Sequence, residues 1–485
     1  MTGAQDRSGF DVAAIGGGAA GLYTALSAAD RGARTCVVSR KPLSESASFR
    51  AQGGLAAALA EDDSPERHVE DTLSAGRGAC RPAAVEILAR EAPGAVAELQ
   101  RLRVRFDVEE DGRLALGLEG GHSARRIVHA GGSQTGRALT ARLAELAEAH
   151  PAIEIVEGTS AVALWSDGER CAGVVTDRGA IAATATVLAT GGGAALWERT
   201  TNPWGAIGAG AVLAHAAGAA LADLELCQFH PTALSKPSDP HDGALLTEAI
   251  RGEGAVLLDA AGRRFTDELA PRDQVTAAIL DRSEADGTDC VRLDMRMVEP
   301  GRFPNVVAML AEAGIDPARE PVPVAPAAHY LVGGVATDLD GRTSVPGLFA
   351  VGECACTGLH GANRLASNSL SECFVFGARA AAAAAAGAKE GRDGIPVPED
   401  RFEPPTAQTR AAVWRDAGPR RDASGLERLL RDPYPLSRMI AASALARRES
   451  RGVHRRTDFP RLDPVLDGVH FVCGSDGAVH EERWI

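Results

Sequence analysis

The chain of 485 residues exceeds the size of an ordinary single domain, and this length predicts roughly two to four domains. Hydrophobic residues make up 45% of it and charged residues 24%, which is typical of a soluble globular protein. The formal net charge of −14 argues against a general nucleic-acid partner or an anionic membrane, so a local cluster of cations would be informative.

The chain lacks the sequence signals of a membrane or secreted protein. Its Ala-rich stretch after Phe376 is interrupted by Arg379, so no apolar run is long enough to span a membrane. The N-terminal segment MTGAQDRSGF has neither the basic region nor the apolar core of a secretion signal. The nine cysteines are scattered, as in a reducing compartment. We therefore expect a cytoplasmic protein without a membrane partner.

The N-terminal half begins as a βαβ unit. A strand is predicted over residues 11–15, followed by a Gly-rich turn over 16–21, a helix through Ala29 and a second strand over 35–39. A helix is predicted over 82–102. We expect a small separate sheet from three later strands, over 153–156, 161–164 and 173–176. A further buried strand covers 187–189.

The second half changes character twice. Residues 224–330 mix helix and strand signals with frequent Pro, Asp and Arg, which indicates an inserted cap. The buried-strand pattern returns over 347–352, and a helix begins near Asn368 or Ser369. Residues 390–404 have the composition of a linker, and 406–451 look helical. The sequence SDG near the C-terminus predicts a short hairpin.

The strongest local motif is Gly16-x-Gly18-x-x-Gly21, which directly follows a strand and opens a helix. Glycines permit a tight turn and close backbone approach, and the helix N-terminus offers free N–H groups and a positive dipole end. This context predicts a diphosphate site that also includes Gly17, Ala19 and Ala20.

The end of the second strand separates the candidate nucleotides. An NAD site usually has an acidic residue there to bond the ribose, whereas this chain has Ser39 and Arg40. A hydroxyl can still bond the ribose, and Arg40 can face a phosphate or the adenine. Later strand ends carry Gly191 and Glu353, as in two-dinucleotide-fold flavoproteins, and we therefore favour FAD.

Other residues complete the predicted cofactor site. The small residues of AQGG (51–54) would let the isoalloxazine lie flat against the backbone, and a helix starting near Ser369 would direct N–H groups at its pyrimidine edge. The remaining assigned residues are Ser48, Gln52, Gly53, Gly54, Ala161, Asn368, Ser369 and Leu370. No metal is expected, and the C-x-C of Cys354 and Cys356 is best explained as buried packing.

These features predict an α/β fold. It has a FAD-binding Rossmann-like domain, an inserted α+β capping domain and a C-terminal helical domain. The predicted bounds are 1–223 and 331–389 for the two parts of the FAD-binding domain, 224–330 for the cap and 390–485 for the helical domain.

Three motifs carry a family resemblance: EGGHS at 119–123, LAPRD at 269–273 and TGLHGANRLASNSL at 357–370. On these the chain resembles the fumarate reductase/succinate dehydrogenase flavoprotein superfamily over almost its whole length. Succinate dehydrogenases carry a flavin-linking His before AQGG, and this chain has Phe49 and Arg50 there. The resemblance therefore implies FAD that is bound non-covalently.

The resemblance also implies a site for a small dicarboxylate. His230 and His329 would contact its carboxylates, Thr247 would donate a hydroxyl, and Arg364 would clamp one carboxylate through its guanidinium fork. An unpaired dianion would be costly to bury, so such a site needs cations or several donors. The superfamily's proton chain matches three further residues, Arg272, Glu248 and Arg251.

Glu119 of EGGHS selects among dicarboxylates, because a carboxylate repels succinate but attracts an α-ammonium group. The branch of the superfamily with this Glu oxidises L-aspartate to iminoaspartate with oxygen, which becomes peroxide, or with fumarate. This reaction feeds quinolinate and NAD biosynthesis, with a hand-off to quinolinate synthase. We expect His122, Arg125 and Arg126 to balance the charge of Glu119.

Two departures from the family pattern keep alternatives open. Ala209 stands where the family often has an acidic flavin contact, and Gly117-Leu118 replaces a common Thr-Arg pair. The alternatives are a fumarate reductase or succinate dehydrogenase flavoprotein, a paralogue serving a specialised pathway, and a non-catalytic flavoprotein.

Overall fold

The computed structural model describes residues 7–167, 169–387, 395–398 and 401–484. Its α-helices are α1 (Ala19–Ala29), α2 (Pro65–Ala75), α3 (Pro82–Arg101), α4 (Thr135–Ala149), α5 (Ala209–Ala216), α6 (Glu248–Gly252), α7 (Arg272–Asp286), α8 (Pro304–Glu312), α9 (Asn368–Ala385), α10 (Ala407–Asp416), α11 (Ala423–Leu429) and α12 (Pro435–Ala446). None of the helices in these ranges is both long and apolar enough to cross a membrane.

Its β-strands are β1 (Arg7–Ile15), β2 (Thr35–Val38), β3 (Leu55–Ala56), β4 (Leu116–Gly117), β5 (Ile127–Val128), β6 (Ile153–Val156), β7 (Ala161–Ser166), β8 (Cys171–Thr176), β9 (Gly179–Leu188), β10 (Leu221–Ala222), β11 (Cys227–Leu234), β12 (Val256–Leu258), β13 (Val291–Asp294), β14 (Val322–Leu331), β15 (Gly334–Ala336), β16 (Leu348–Ala350), β17 (Ala355–Cys356), β18 (Val469–Cys473) and β19 (Val479–Arg483).

A seven-stranded sheet forms the centre of the fold, in the order β6-β2-β1-β9-β8-β7 with β16 also paired to β9. The strands β6, β2, β1, β9 and β16 run parallel, whereas β7 and β8 are antiparallel additions. The βαβ start and the helix over 82–102 are confirmed. Parallel strands joined through helices place their carboxyl ends at one edge, where nucleotides bind in such folds.

The separate small sheet predicted from residues 153–156, 161–164 and 173–176 is wrong. β6 instead extends the large sheet beyond β2, and β7 and β8 extend it beyond β9. β9 is long enough to pair with β8 through its first residues and with β16 through its last. Local patterning identifies a strand, but long-range contacts select its partner.

Helices α1 and α9 cross closely on one face of this sheet. Thr24 Oγ1 donates to the carbonyl of Gly377, and the Tyr23 ring meets Phe374 edge-on with centroids 5.1 Å apart. A Cβ added to Gly377 would lie 3.1 Å from Thr24 Oγ1, so a small residue permits the approach. Both helices begin near the carboxyl edge of the sheet.

A four-stranded antiparallel sheet, β11-β14-β13-β12, occupies the stretch for which we predicted an inserted cap. Helices α6, α7 and α8 accompany it, and its own core includes Leu246, Val275, Ile279 and Phe303. α6 and α7 begin at Glu248 and Arg272, so two predicted catalytic residues stand at helix starts.

The C-terminal region is helical over α10, α11 and α12, as predicted for 406–451. The hairpin predicted at SDG is confirmed by β18 and β19, which pair antiparallel. It also joins β10, β15 and β17 in a five-stranded sheet. Residues 390–394 and 399–400 of the predicted linker lie outside the described residues.

Candidate active site

The Gly-rich turn after β1 admits only glycine at two positions. Gly16 has φ +128°, and a Cβ there would lie 2.1 Å from the carbonyl oxygen of Ala189. A Cβ at Gly21 would lie 1.9 Å from the carbonyl oxygen of Gly16. Gly18 precedes α1, whose Ala19 N–H donates to Ser48 Oγ at 3.1 Å. The turn therefore has the close approach and helix start that a diphosphate site needs.

The predicted ribose end lies next to this turn. Ser39 follows β2, and a Cβ at Gly17 would lie 2.7 Å from its hydroxyl oxygen, which itself donates to the carbonyl of Lys41 at 2.6 Å. Arg40 is exposed and donates to the carbonyl of Gly205 at 3.4 Å. Ser39 and Gly17 are thus brought together, while Arg40 lies at the solvent boundary.

Glu353 and Gly191 lie beyond the next strand ends of the sheet. Glu353 packs over Gly192 and accepts a hydrogen bond from the Leu331 N–H at 3.1 Å. Burial raises the pKa of Glu353 to about 7. Gly191 has φ +74° and open space where a Cβ would stand. Ala161, which we also assigned to the cofactor, begins the outer strand β7 and is partly buried.

The AQGG loop fits a bound ring that can donate a hydrogen bond. Gln52 Oε1 is buried and has no hydrogen-bond partner within the described ranges, and such an orphaned acceptor calls for a donor. Gly54 is pressed against β5, since a Cβ there would lie 2.4 Å from the carbonyl oxygen of Val128. The residue types on this loop therefore suit the flat, polar-edged flavin ring.

The first residues of α9 divide between the fold and the site. The Asn368 amide contacts His68 Nε2 at 2.8 Å and donates to Thr72 Oγ1 at 3.1 Å, so its side chain is already used. Leu370 is buried in the core. Ser369 Oγ accepts a hydrogen bond from Arg364 at 2.5 Å. What α9 offers a flavin is its N-terminal backbone rather than these side chains.

Five charged side chains, which we call the substrate cluster, come from four separate segments of the chain: EGGHS, α6, LAPRD and TGLHGANRLASNSL. Their members are all buried, and they are Glu119, Glu248, Arg251, Arg272 and Arg364. Glu248 and Arg251 shift each other's pKa, Arg272 acts on both, and Arg272 and Glu119 act on the pKa of Arg364. All five are among the site residues predicted from the sequence.

Arg272 is tied to Glu248, as the predicted proton chain requires. Its Nε donates to Glu248 Oε2 at 2.7 Å and its NH1 donates to Gln228 Oε1 at 3.0 Å. Arg251 NH2 lies 3.6 Å from the same Glu248 oxygen. Although burial raises the pKa of Glu248, Arg272 and Arg251 bring it below its usual value, so this carboxylate is ionised.

Arg364 is a buried cation with spare donors. Its NH2 donates to Ser369, but Nε and NH1 are buried without a hydrogen-bond partner within the described part of the chain. Its guanidinium carbon lies 4.8 Å from the centroid of the Tyr330 ring. Burial and the charge of Arg272 lower its pKa to about 10, which still leaves it charged at neutral pH. Spare buried donors of this kind suit the carboxylate of a ligand.

The two predicted histidines face each other from adjacent strands, with ring centroids 5.2 Å apart. Burial, Arg272 and other nearby positive groups hold the pKa of both well below the usual value, so they act as neutral hydrogen-bonding groups and not as cations. His230 Nδ1 accepts the Thr232 N–H at 3.2 Å, which leaves Nε2 as its donor. His329 Nδ1 lies 2.7 Å from Thr201 Oγ1.

Glu119 and Thr247 complete the predicted set. Thr247 is buried and precedes α6, directly before Glu248. Glu119 Oε2 accepts a hydrogen bond from Ser367 Oγ at 2.6 Å. Glu119 also acts on the pKa values of Arg251 and Arg364.

The residues that balance the charge of Glu119 differ from those predicted. Arg126 is bound to Asp63 and Asp71 at 2.8 and 2.7 Å, and Arg125 is exposed. Burial lowers the pKa of His122 to about 4, so His122 is neutral. Arg251 and Arg364 supply the positive charge instead. Sequence proximity to Glu119 was a poor guide, because a buried Arg pairs with whichever carboxylates the fold brings to it.

Sequence reasoning missed three residues that orient the site: Gln228, Ser367 and Thr201. Gln228 bridges Arg272 and the Asn363 amide, to which its Nε2 donates at 3.0 Å. Gln228 stands two residues before His230, and Ser367 lies in TGLHGANRLASNSL, but nothing in a strand or loop pattern marks a positioning amide or hydroxyl. The described residues contain no cluster of metal-ligating side chains.

Two parts of the chain match known protein families. Residues 11–370 match the FAD binding domain family, and residues 427–473 match the family described as the fumarate reductase flavoprotein C-terminal region. The protein is thus an FAD-binding flavoprotein, and FAD is its cofactor.

Curated relatives narrow the family. The L-aspartate oxidase of Caulobacter vibrioides is 46% identical, with 96% of each chain covered. That of Mycobacterium tuberculosis strain H37Rv is 43% identical, covering 99% of this chain and 98% of its own. The chain belongs to the L-aspartate oxidase family.

Solved structures agree on the fold. An E. coli quinol fumarate reductase FrdA variant superposes with a TM-score of 0.89 at 28% identity, covering 99% of this chain and 98% of the other. Mycobacterium smegmatis Sdh1 gives a TM-score of 0.83 at 31% identity, covering 98% and 94%. The expected α/β architecture is confirmed.

Proposed function

We propose that this protein oxidises L-aspartate to iminoaspartate with bound FAD. The observation that carries the proposal is the charge of the substrate cluster. Its three guanidinium groups and two carboxylates leave one net positive charge, because both neighbouring histidines are neutral. L-Aspartate, with two carboxylates and one ammonium, has one net negative charge and would make the buried site neutral, as burial demands. Succinate would leave an unbalanced negative charge.

The site residues then divide by the part of the substrate they hold. The spare Nε and NH1 of Arg364 bind one carboxylate bidentately. Nε2 of His230, the His329 ring and the Thr247 hydroxyl bind the carboxylates as neutral partners. Glu119 attracts the ammonium. Positioning of this kind brings the α-carbon to the flavin, which accepts the hydride when bound.

Proton movement falls to Arg272. A guanidinium is a poor base, because its pKa exceeds about 12. The 2.7 Å bond to ionised Glu248, which in turn faces Arg251, gives the proton a path out of the site. Loss of one proton from the ammonium and of a hydride from the α-carbon leaves the imino acid in its protonated form. Glu248 and Arg251 therefore act as the relay.

We also propose how FAD is held, which molecules accept the electrons, where the product goes and what each predicted domain does. FAD is held non-covalently by the residues around the Gly-rich turn, AQGG and the start of α9. Oxygen, which becomes peroxide, or fumarate accepts the electrons, and the product feeds quinolinate synthase and NAD biosynthesis. Residues 224–330 act as a cap over the FAD-binding parts 1–223 and 331–389, and 390–485 supports them.

Anaerobic titration of the purified flavoprotein tests the function. We expect L-aspartate to bleach the visible absorbance of the oxidised flavin and succinate to leave the flavin oxidised. Bleaching by succinate alone would assign the protein to the succinate dehydrogenase type. Absence of bleaching by either ligand would point to a non-catalytic flavoprotein.

A further inference from the structure

Ser367 occupies an unusual place at the start of α9. It is the residue that caps the helix, yet its side chain makes no capping hydrogen bond, although serine normally uses its hydroxyl for that purpose. Its backbone has φ +62°, a left-handed conformation that is unfavourable for a residue with a Cβ. Ser367 thus gives up a cap and accepts strain, which needs a compensating role.

Its hydrogen bonds show where the hydroxyl is used instead. The Gly54 N–H donates to Ser367 Oγ at 3.2 Å, and Ser367 Oγ lies 2.6 Å from Glu119 Oε2. An N–H can only donate, so the hydroxyl oxygen must accept from Gly54 and its own hydrogen points at Glu119. The Ala56 N–H also donates to the Ser367 carbonyl at 3.3 Å and fixes the backbone.

This arrangement fixes one oxygen of Glu119 and leaves the other available. Within the described ranges, Oε1 has no hydrogen-bond donor, and it lies 4.0 Å from where a Cβ of Gly53 would stand. Oε1 therefore lies over the AQGG loop, the predicted flavin wall. A carboxylate pinned at one oxygen by a short, charge-assisted bond cannot rotate freely.

We propose that Ser367 is a positioning residue that aims Glu119 Oε1 at the substrate's ammonium group and so favours an amino dicarboxylate over a plain dicarboxylate. This inference rests on the proposed function. It also couples the amine-recognising carboxylate to the flavin loop, since Gly54 and Glu119 share one serine hydroxyl.

Two substitutions separate the hydroxyl from the backbone strain. Ser367→Ala removes the hydroxyl and keeps the strain, whereas Ser367→Gly removes the hydroxyl and relieves it, because glycine adopts positive φ readily. With FAD bound, the L-aspartate concentration for half-maximal flavin reduction and the dissociation constant of succinate are measured for each. We expect both variants to weaken L-aspartate by about tenfold or more and succinate by less than about twofold.

A double-mutant cycle with Glu119→Gln completes the test. If Ser367 acts through Glu119, adding Ser367→Gly to Glu119→Gln should change the L-aspartate value by less than about twofold. Equal losses for both ligands, an unchanged L-aspartate value, additive losses in the double variant, or a defect in Ser367→Ala that Ser367→Gly lacks would each overturn the inference. Failure of the proposed function is distinct, because the unaltered protein would then not be reduced by L-aspartate.

Discussion

Two buried charge clusters in this molecule differ in how completely their donors are matched. The structural cluster, formed by Arg447, Glu449 and Arg451 near the C-terminus, has a partner for every guanidinium nitrogen. In the substrate cluster, Arg364 has two buried nitrogens without a partner in the described residues. Burial alone therefore does not distinguish these two clusters, whereas the unmatched donors of Arg364 do.

The two clusters should respond differently when an Arg is removed. In the structural cluster, removal of a cation leaves carboxylates buried and unpaired, and the fold should suffer. In the substrate cluster, stability was given up for binding, so removal of a cation should cost activity more than stability.

The largest effect is expected from Arg272→Leu. The variant should keep FAD, since Arg272 contacts Glu248 and Gln228 and none of the Gly-rich turn, but flavin reduction by L-aspartate should slow by about three orders of magnitude. Stopped-flow absorbance under anaerobic conditions measures the rate. Arg319→Leu removes an exposed arginine paired with the exposed Asp316 and serves as the control, which should retain normal reduction. Near-normal reduction in Arg272→Leu would remove it from the proton path.

Arg447→Met should expose the opposite behaviour. The variant leaves Glu225 and Glu449 without their shared cation, and the free energy of unfolding should fall by about 3–5 kcal/mol. Urea titration measures this loss. Arg428→Met removes an exposed guanidinium from Asp416, and since that carboxylate keeps its pair with Arg415, the change should cost about 1 kcal/mol or less. Similar losses in both variants would mean that the structural cluster is no more than a set of surface pairs.

Arg364→Met should weaken binding without weakening the fold. Two buried donors without a partner in the described residues disappear while Arg251 still offsets the charge of Glu119, so thermal stability should stay equal or rise by about 1 kcal/mol. Binding of L-aspartate and of succinate should both fall by about a hundredfold, because a bidentate carboxylate contact is lost. A melting scan and a flavin-absorbance titration measure the two quantities. A loss of stability like that of Arg447→Met would show that Arg364 is a structural residue.

The same contrast shows what the sequence could supply. Gly16, Gly18 and Gly21 lie in a strand–turn–helix context, where backbone sterics are local, so the nucleotide turn was predictable. The members of the substrate cluster were predictable from motifs. The partners of β6, β7 and β8 were not, because a strand's pattern does not encode its neighbour.

The charge states and ion-pair partners of the site residues were likewise not predictable from the sequence. Arg126 stands only seven residues after Glu119 in the chain, but in the folded protein its guanidinium pairs with Asp63 and Asp71. The neutrality of His230 and His329 arises from burial among guanidinium groups contributed by distant segments. The positive φ of Ser367 has no signal in a serine. These properties depend on contacts between distant segments and appear only in the folded chain.

The smallest predicted effect is a loss of stability in acid that arises from His122, which stands three residues after Glu119 of the substrate cluster. His122 donates from Nε2 to the Ala366 carbonyl, and burial lowers its pKa from 6.5 to about 4. The folded state therefore binds fewer protons than the unfolded state between these values, so the contribution to stability is complete above pH 6.5 and declines as the pH falls toward 4. Between pH 7 and pH 5.5 this one group should cost about 1 kcal/mol.

Urea unfolding at the two pH values measures that loss, and His122→Gln isolates it. Glutamine can still donate to Ala366 but does not titrate, so the variant should lose about 1 kcal/mol less than the unaltered protein on acidification. His480→Gln replaces an exposed histidine near the C-terminus and should leave the loss unchanged. An equal loss in His122→Gln would mean that the acid sensitivity arises elsewhere.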